Sequence, residues 1–240
     1  MTASPGTLYG IGVGPGDPDL ITVKALNVLR NVGHIFAASS TKNEYSLALE
    51  IVKRHLNSGT VERLPFPMTK VASVLEAAWE DNARRVLAVL EAGQDAAFVT
   101  LGDPLTYSTF GYLMQTVKRL APRVPIIAIP GVTSYNAAAA LSQIPLTEGE
   151  ESLYVVSGAL GPDRLKEAIH QTDNIVMLKV YRHFGAIYET IEELGLLDCA
   201  TCVSRVGLNG EVVVYNLRAL KDRDLPYLSL LIIKKPRQEG

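Results

Sequence analysis

The chain has 240 residues, 48% hydrophobic and 20% charged, with a formal net charge of −2. A chain of this kind buries a core without disulfide or metal staples, and it offers no global basic field to attract nucleic acid. No apolar run approaches the roughly 18 residues a membrane helix needs, and no charged segment precedes an apolar one in residues 1–6, so neither a membrane span nor an export signal is expected and the setting reads as cytoplasmic.

Thr7 to Val13 reads as a strand that runs into Gly10-Ile11-Gly12-Val13-Gly14-Pro15-Gly16-Asp17-Pro18. The turn resembles a dinucleotide fingerprint, but the G-x-G-x-x-G spacing is absent, and Pro15 removes an N–H that a phosphate cradle needs. A turn this rich in glycine either admits a ligand or another backbone closely, or is simply tight. Thr22 is placed to cap a helix over Val23 to Arg30, with Val23, Leu26 and Leu29 on one face. His34 to Ala38 reads as a second strand, Ser39 to Asn43 as a polar loop and Ser46 to His55 as a helix. Val61 to Leu64 reads as a third strand, closed by Pro65-Phe66-Pro67-Met68. Val71 to Ala92 has the period of a long helix, with Val74, Leu75, Ala78, Val86 and Leu90 as its buried stripe.

The apolar run Ala96 to Val99 reads as a buried central strand. The turn Leu101-Gly102-Asp103-Pro104 follows, and then a helix with Phe110, Leu113, Met114 and Val117 on one face. In open α/β sheets ligands bind at such strand ends. The hydroxyls of Ser108 and Thr109 either cap the helix or touch a ligand. Val124 to Ile129 repeats the pattern as strand, then the turn Pro130-Gly131-Val132-Thr133-Ser134, then an alanine-rich helix over Tyr135 to Leu141.

The acidic, proline-containing stretch Gln143 to Glu151 breaks the pattern. It divides the chain into an N-terminal domain over 1–143 and a C-terminal domain over 144–240. The second half reads as strands at Leu153 to Gly158, Ile175 to Tyr181, Cys202 to Val206, Glu211 to Tyr215 and Leu228 to Ile233. Helices are expected over Asp163 to His170 and Phe184 to Leu194. Alternation of strand and helix in the first half predicts a mostly parallel sheet, and the strand-rich second half a mixed one. The fold class is therefore α/β, in two α/β domains.

The two cysteines, Cys199 and Cys202, have C-x-x-C spacing. They lead into a strand rather than opening a helix, and the four histidines are scattered, so redox and zinc roles are not expected. Asp17 and Asp103 each follow a glycine at a strand end. Such acids either share a crevice for acid–base work or bond the backbone of their own turns. No nucleophile elbow, Walker loop or metalloprotease helix is present. The pattern suits a reaction whose reactivity lies in the substrates while the protein supplies position.

Three motifs can now be joined. Gly12-Val13-Gly14-Pro15-Gly16-Asp17-Pro18 with Leu20-Ile21-Thr22, Gly102-Asp103-Pro104, and Pro130-Gly131-Val132-Thr133-Ser134 resemble the three signatures of the tetrapyrrole (corrin and porphyrin) methylases, in order and spacing. Within that family Gly102 to Phe110, Phe66-Pro67-Met68 and Lys179-Val180-Tyr181-Arg182 resemble the branch that methylates C20 of precorrin-2 or its cobalt complex. The resemblance implies a cytoplasmic homodimer of two-domain chains with S-adenosylmethionine (S-adenosyl-L-methionine) bound between the domains, mostly through main-chain groups. Its cofactor contacts fall on Pro15, Leu101, Gly102, Asp103, Thr106, Tyr107, Ser108, Thr133 and Ser134. In the second half they fall on Lys179, Val180, Gly207, Leu208 and Ser229. Gly14 and Gly16 line a trough for the tetrapyrrole substrate. Lys42, Arg63, Arg182 and Arg205 are candidates for its carboxylates, and each also reads as a solvated surface charge. Tyr107 and Asp17 are expected to orient rather than to act as acid or base, and a packing role suits Tyr107 as well. No metal, nucleic acid or membrane partner is expected. Two other readings stay open: the same fold methylating ribosomal RNA or a modified histidine, and a nicotinamide-dependent oxidoreductase built on the first glycine loop.

Overall fold

The computed structural model describes residues 4–40, 46–56 and 59–235. Two compact units divide between Thr133 and Ser134. The first contains β1 (Leu8–Gly12), α1 (Val23–Leu29), β2 (His34–Ser40), α2 (Leu47–Val52), β3 (Thr60–Phe66), α3 (Ala72–Glu91), β4 (Ala96–Thr100), α4 (Phe110–Leu120) and β5 (Ile126–Ile129). The second contains α5 (Ser134–Ser142), β6 (Leu153–Ser157), α6 (Asp163–Ala168), β7 (Asn174–Leu178), α7 (Phe184–Glu193), β8 (Ala200–Ser204), β9 (Val212–Val214) and β10 (Ser229–Lys234). Helix α5 packs on β8 and β10 of the second unit, and the stretch expected to divide the domains begins just after it.

The first sheet is wholly parallel, in the order β3-β2-β4-β1-β5. Its strands alternate strictly between two cores. Leu8, Phe36, Ala96 and Phe98 face α3 and α4, while Ile11, Ile35, Ala97 and Val99 face α1 and α2. The central strand β4 is covered on both faces and reads as an apolar run, whereas the edge strand β3 alternates, with Leu64 and Phe66 buried and Arg63 and Pro65 exposed. The second sheet is mixed, in the order β6-β7-β10-β8-β9, with β10 antiparallel to both neighbours. One face packs on α6 and α7. The other packs on α5, whose alanines let it lie close to Val203, Leu230 and Ile232.

Several elements depart from expectation. Val23 and Val74 point to solvent, 74% and 47% exposed, and the buried stripes lie on Ala25 and Leu29 in α1 and on Asn82, Ala83, Val86, Leu87 and Leu90 in α3. Strand β3 continues through Pro65 to Phe66 because it is the sheet edge, where a missing outward N–H costs nothing. Its outward carbonyls are met from α3: Asn82 Nδ2 donates to Pro65 O at 2.8 Å, and Arg85 reaches Arg63 O at 3.4 Å. Strand β7 stops at Leu178. Lys179 then turns left-handed (φ 59°) and Val180–Arg182 form a 3-10 turn, so the run to Tyr181 is not one strand.

Phe110 anchors α4 to the first sheet. Its wholly buried ring lies 5.8 Å from that of Phe98 and occupies the space a Cβ on Gly10 would take, 2.1 Å from the ring. Phe110→Ala is expected to cost about 3–5 kcal/mol, the range for emptying a buried aromatic site. Urea unfolding followed by circular dichroism measures it.

Candidate functional site

The carboxyl ends of β4, β1 and β5 lie side by side and carry the three glycine turns. The chain leaves β1 toward β2 on one side and leaves β4 toward β5 on the other, so the sheet has its topological switch point between β1 and β4. In this unit the two turns close that crevice by bonding to each other. Gly102 N donates to Gly14 O at 2.7 Å and Gly14 N to Gly102 O at 3.3 Å. Both glycines have positive φ (84° and 70°). Gly131 joins them: a Cβ on it would lie 2.2 Å from Gly102 O, and one on Gly12 would lie 2.5 Å from the same oxygen.

The acids of the turns serve this arrangement. Asp103 Oδ1 accepts from Leu105 N at 2.9 Å and from Thr106 Oγ1 at 3.2 Å, and its Oδ2 accepts from Gly131 N at 3.2 Å. It therefore fastens the β4 turn to the β5 turn. Asp17 Oδ1 accepts from Asp19 N at 2.8 Å and caps the 3-10 turn Pro18–Leu20. Of the two roles open to these acids, the bonds made are those of backbone caps. Ser108 does cap its helix: its Oγ accepts from Phe110 N at 3.1 Å and lies 2.9 Å from Thr100 Oγ1. Tyr107 beside it has a left-handed backbone (φ 52°) and is 51% exposed. Leu101, Asp103, Thr106, Val132 and Thr133 are half-buried around the turns, while Gly14, Pro15 and Gly16 are buried beneath them. The N-terminus of α1 is capped by its own residue, Thr22 Oγ1 accepting from Ala25 N at 3.2 Å.

The second unit has a comparable rim. Because β10 runs antiparallel to β7 and β8, its first residue lies level with their last ones, Leu230 opposite Leu178 and Ser229 opposite Ser204. Three non-glycine residues in the left-handed region sit at these three strand ends: Lys179 (φ 59°), Leu228 (φ 68°) and Arg205 (φ 55°). Ser229 holds the centre: its buried Oγ donates to Pro226 O at 2.7 Å and lies 2.7 Å from Ser204 Oγ. The loop after β8 is closed on itself, with Gly207 N donating to Glu211 Oε2 at 2.6 Å, Leu208 N to Arg205 O at 2.9 Å and Arg205 Nε to Asn209 O at 2.7 Å. Past α5, Pro145 O accepts from Lys234 Nζ at 3.0 Å at the far end of β10, which puts Ser134, at the start of α5, toward the Ser229 end.

The expected residues thus gather at two strand-end rims. In the first unit these are Pro15, Leu101, Gly102, Asp103, Thr106, Tyr107 and Ser108, with Thr133 where the unit ends. In the second they are Ser134, Lys179, Val180, Gly207, Leu208 and Ser229. Arg182 and Arg205 belong to the second rim. Arg63 lies on the exposed outer edge of β3, and Lys42 is outside the described residues. Gly12 and Gly131, which stand outside the expected set, meet here as well, and their like positions at strand ends are the sequence signal for it. Burial pushes the Cys202 thiol up to about 11 and also raises that of Cys199, the reverse of an activated thiol. Among the described residues no three His, Cys, Asp or Glu side chains gather as metal ligands, and no helix is long and apolar enough to cross a membrane.

Gly131→Ala drives a methyl group against two backbones that cannot move independently. It is expected to destabilise the first unit by about 1–3 kcal/mol, the usual cost of overpacking, whereas Gly149→Ala, with open space around its Cβ, costs only the strain of its own positive φ (60°). Thermal and urea unfolding of the two variants makes the comparison.

Comparisons with known proteins give the family and the fold. A family model described as Tetrapyrrole (Corrin/Porphyrin) Methylases matches residues 7–221. The chain is 37% identical to the cobalt-precorrin-2 C(20)-methyltransferase of Salmonella typhimurium, over 96% of this chain and 97% of that one. It is 31% identical to the precorrin-2 C(20)-methyltransferase of a Sinorhizobium species, over 95% of each chain. A uroporphyrin-III C-methyltransferase of Thermus thermophilus, solved with S-adenosylhomocysteine, shares the fold with a TM-score of 0.67 at 23% identity, over 95% of this chain and 97% of that one. This chain belongs to the tetrapyrrole (corrin/porphyrin) methylases.

Proposed function

We propose that this protein transfers the methyl group of S-adenosylmethionine to C20 of precorrin-2 as its cobalt complex, in cobalamin biosynthesis. The observation that carries the reading is the 37% identity to the cobalt-precorrin-2 enzyme of Salmonella typhimurium over nearly the whole of both chains. The relative named for precorrin-2 itself stands at 31%, which favours the cobalt complex, with the metal as part of the substrate.

The residues present fit such a cofactor. The first rim has a floor of glycine backbone without side chains, flanked by half-buried Leu101, Asp103, Thr106 and Thr133. That surface offers close approach to the main chain beside modest apolar area, which suits a nucleoside with a charged tail. In this reading Pro15, Leu101, Gly102, Asp103, Thr106, Tyr107, Ser108 and Thr133 hold it from the first unit. Ser134, Lys179, Val180, Gly207, Leu208 and Ser229 hold it from the second. When bound, S-adenosylmethionine supplies an electrophilic methyl group on a sulfonium.

The chain's own residues then bind, orient and exclude water. The meso carbon of the substrate is enamine-like and already nucleophilic, so no protein nucleophile is needed. Fixing the two reactants in line contributes up to roughly 7–11 kcal/mol of the barrier. Asp103 holds the rim through its three bonds, and Asp17 fixes the turn whose Gly14 and Gly16 lie along the tetrapyrrole trough. Tyr107 orients the macrocycle beside the methyl group. Lys42, Arg63, Arg182 and Arg205 meet the substrate carboxylates, and the working form is a cytoplasmic homodimer.

Incubation with isotope-labelled S-adenosylmethionine and precorrin-2, metal-free and cobalt-loaded, tests the reading, with NMR locating the new methyl group. Label at C20, with faster turnover of the cobalt complex, is expected. Label at another carbon, or none, overturns it. In a thermal-shift assay S-adenosylhomocysteine is expected to raise Tm and NAD to leave it unchanged.

A further inference from the structure

The second rim carries an aromatic and cationic cluster that the cofactor set does not use. Tyr227 precedes β10 in the segment that Ser229 ties back onto Pro226 O, and Leu228 after it is left-handed. This bend turns Tyr227 outward, where it is 67% exposed for a large aromatic residue. It is nevertheless held in place: its ring meets that of Tyr181 edge-on, with centroids 5.1 Å apart and planes at 81°. Tyr181 in turn sets Arg182. Its hydroxyl accepts from Arg182 Nε at 2.7 Å, and the guanidinium carbon lies 5.5 Å from its ring.

Arg182 is set apart from the other described arginines by the tyrosine hydroxyl that holds its Nε, not by lacking an acid, since Arg30, Arg63, Arg123, Arg205 and Arg223 show no ion pair either. Arg54, Arg84, Arg85, Arg164 and Arg218 each pair with an acid. Among the described residues no carboxylate pairs with Arg182. Its Nε is spent on Tyr181, which orients the remaining fork of two amino groups. That fork is the geometry that takes a carboxylate in a bidentate way. Orienting it in advance removes side-chain entropy that a free arginine loses on binding. Three of the six non-glycine residues with left-handed backbone among the described residues, Lys179, Arg205 and Leu228, stand at this rim, and such strain often gathers at sites that work.

We propose that Tyr181, Arg182 and Tyr227 form a preset carboxylate subsite that seats one acidic side chain of the tetrapyrrole. This rests on the methyl-transfer reading above. Arg182 is the contact, Tyr181 is the positioning residue that aims it, and Tyr227 braces Tyr181 and offers its face to the apolar edge of the ring. The subsite distinguishes ligands by charge and does not take part in the transfer.

Steady-state kinetics of the full-length protein with the tetrapyrrole test it, with calorimetric titration of S-adenosylhomocysteine in parallel. Arg182→Gln is expected to raise KM for the tetrapyrrole about tenfold or more, the loss of one charge-assisted contact, with kcat and the S-adenosylhomocysteine Kd within about twofold. Arg182→Lys restores part of the loss, because a point charge replaces the fork. Tyr181→Phe raises KM by a smaller factor, and combined with Arg182→Gln it adds nothing, since it acts through the arginine. A tetrapyrrole whose carboxyl groups are esterified is bound more weakly by the wild type, and Arg182→Gln does not weaken it further. An unchanged KM in Arg182→Gln, alongside an active wild type, overturns the subsite and leaves methyl transfer standing. A rise in the S-adenosylhomocysteine Kd with KM for the tetrapyrrole unchanged overturns it too, by assigning the cluster to the cofactor. A wild type that methylates no tetrapyrrole overturns the functional reading itself.

Discussion

The contact on which the first unit's site depends is backbone against backbone. Gly12, Gly102 and Gly131 come from three different strand ends, and each occupies the space where another's Cβ would stand. Only hydrogen atoms fit there. The two hydrogen bonds between Gly14 and Gly102 then extend the pairing of β1 and β4 past the end of the sheet. The usual ligand crevice at a topological switch point is thereby closed by backbone. Asp103 completes the seal by joining the second turn to the third. A site made this way presents main chain rather than reactive side chains, and it suits chemistry in which both reactants bring their own reactivity.

The two units reach similar rims by opposite means. In the first, glycines take the positive φ angles of Gly14 and Gly102 at little cost. In the second, Lys179, Arg205 and Leu228 take them with side chains attached. The compensation is local: the buried hydroxyls of Ser204 and Ser229 lie 2.7 Å apart, and Leu228 O accepts from Arg205 N at 3.1 Å. Side chains at left-handed positions project where glycine projects nothing, so the second rim carries the charged Lys179 and Arg205 at its strand ends, while on the first rim only Tyr107, in the turn after β4, does the same.

Period and turn chemistry were legible in the sequence wherever one face of an element met one core. The apolar run Ala96 to Val99 became a central strand, and the i, i+3, i+4, i+7 pattern from Phe110 became α4. The reading failed where a second influence entered. Val74 has the right spacing for the stripe of α3, but the first turns of that helix run past the sheet edge, and burial begins only near Asn82. The run Ile175 to Tyr181 is apolar on both sides of Lys179, and the backbone turns left-handed at that residue. Nothing in the amino-acid types announces that, because lysine has no local preference for αL. Pro65 argued for the end of a strand and instead sat inside one, since only the strand order reveals that β3 is an edge.

By itself the sequence determined the α/β class, the two sheets and the residues that form the strand-end turns, because these depend on periodicity and on where glycine and proline stand. It also marked Asp17 and Asp103 as residues with two possible uses. Only the tertiary structure decided between them. Asp103 meets Gly131 N across 28 positions of chain, and its carboxylate, accepting from three donors, holds two loops together. The same holds for the turns. Glycines at 12, 102 and 131 are a sequence fact, but that they touch one another follows from β1 lying between β4 and β5. Strand order is a property of the folded chain and not of any segment of it.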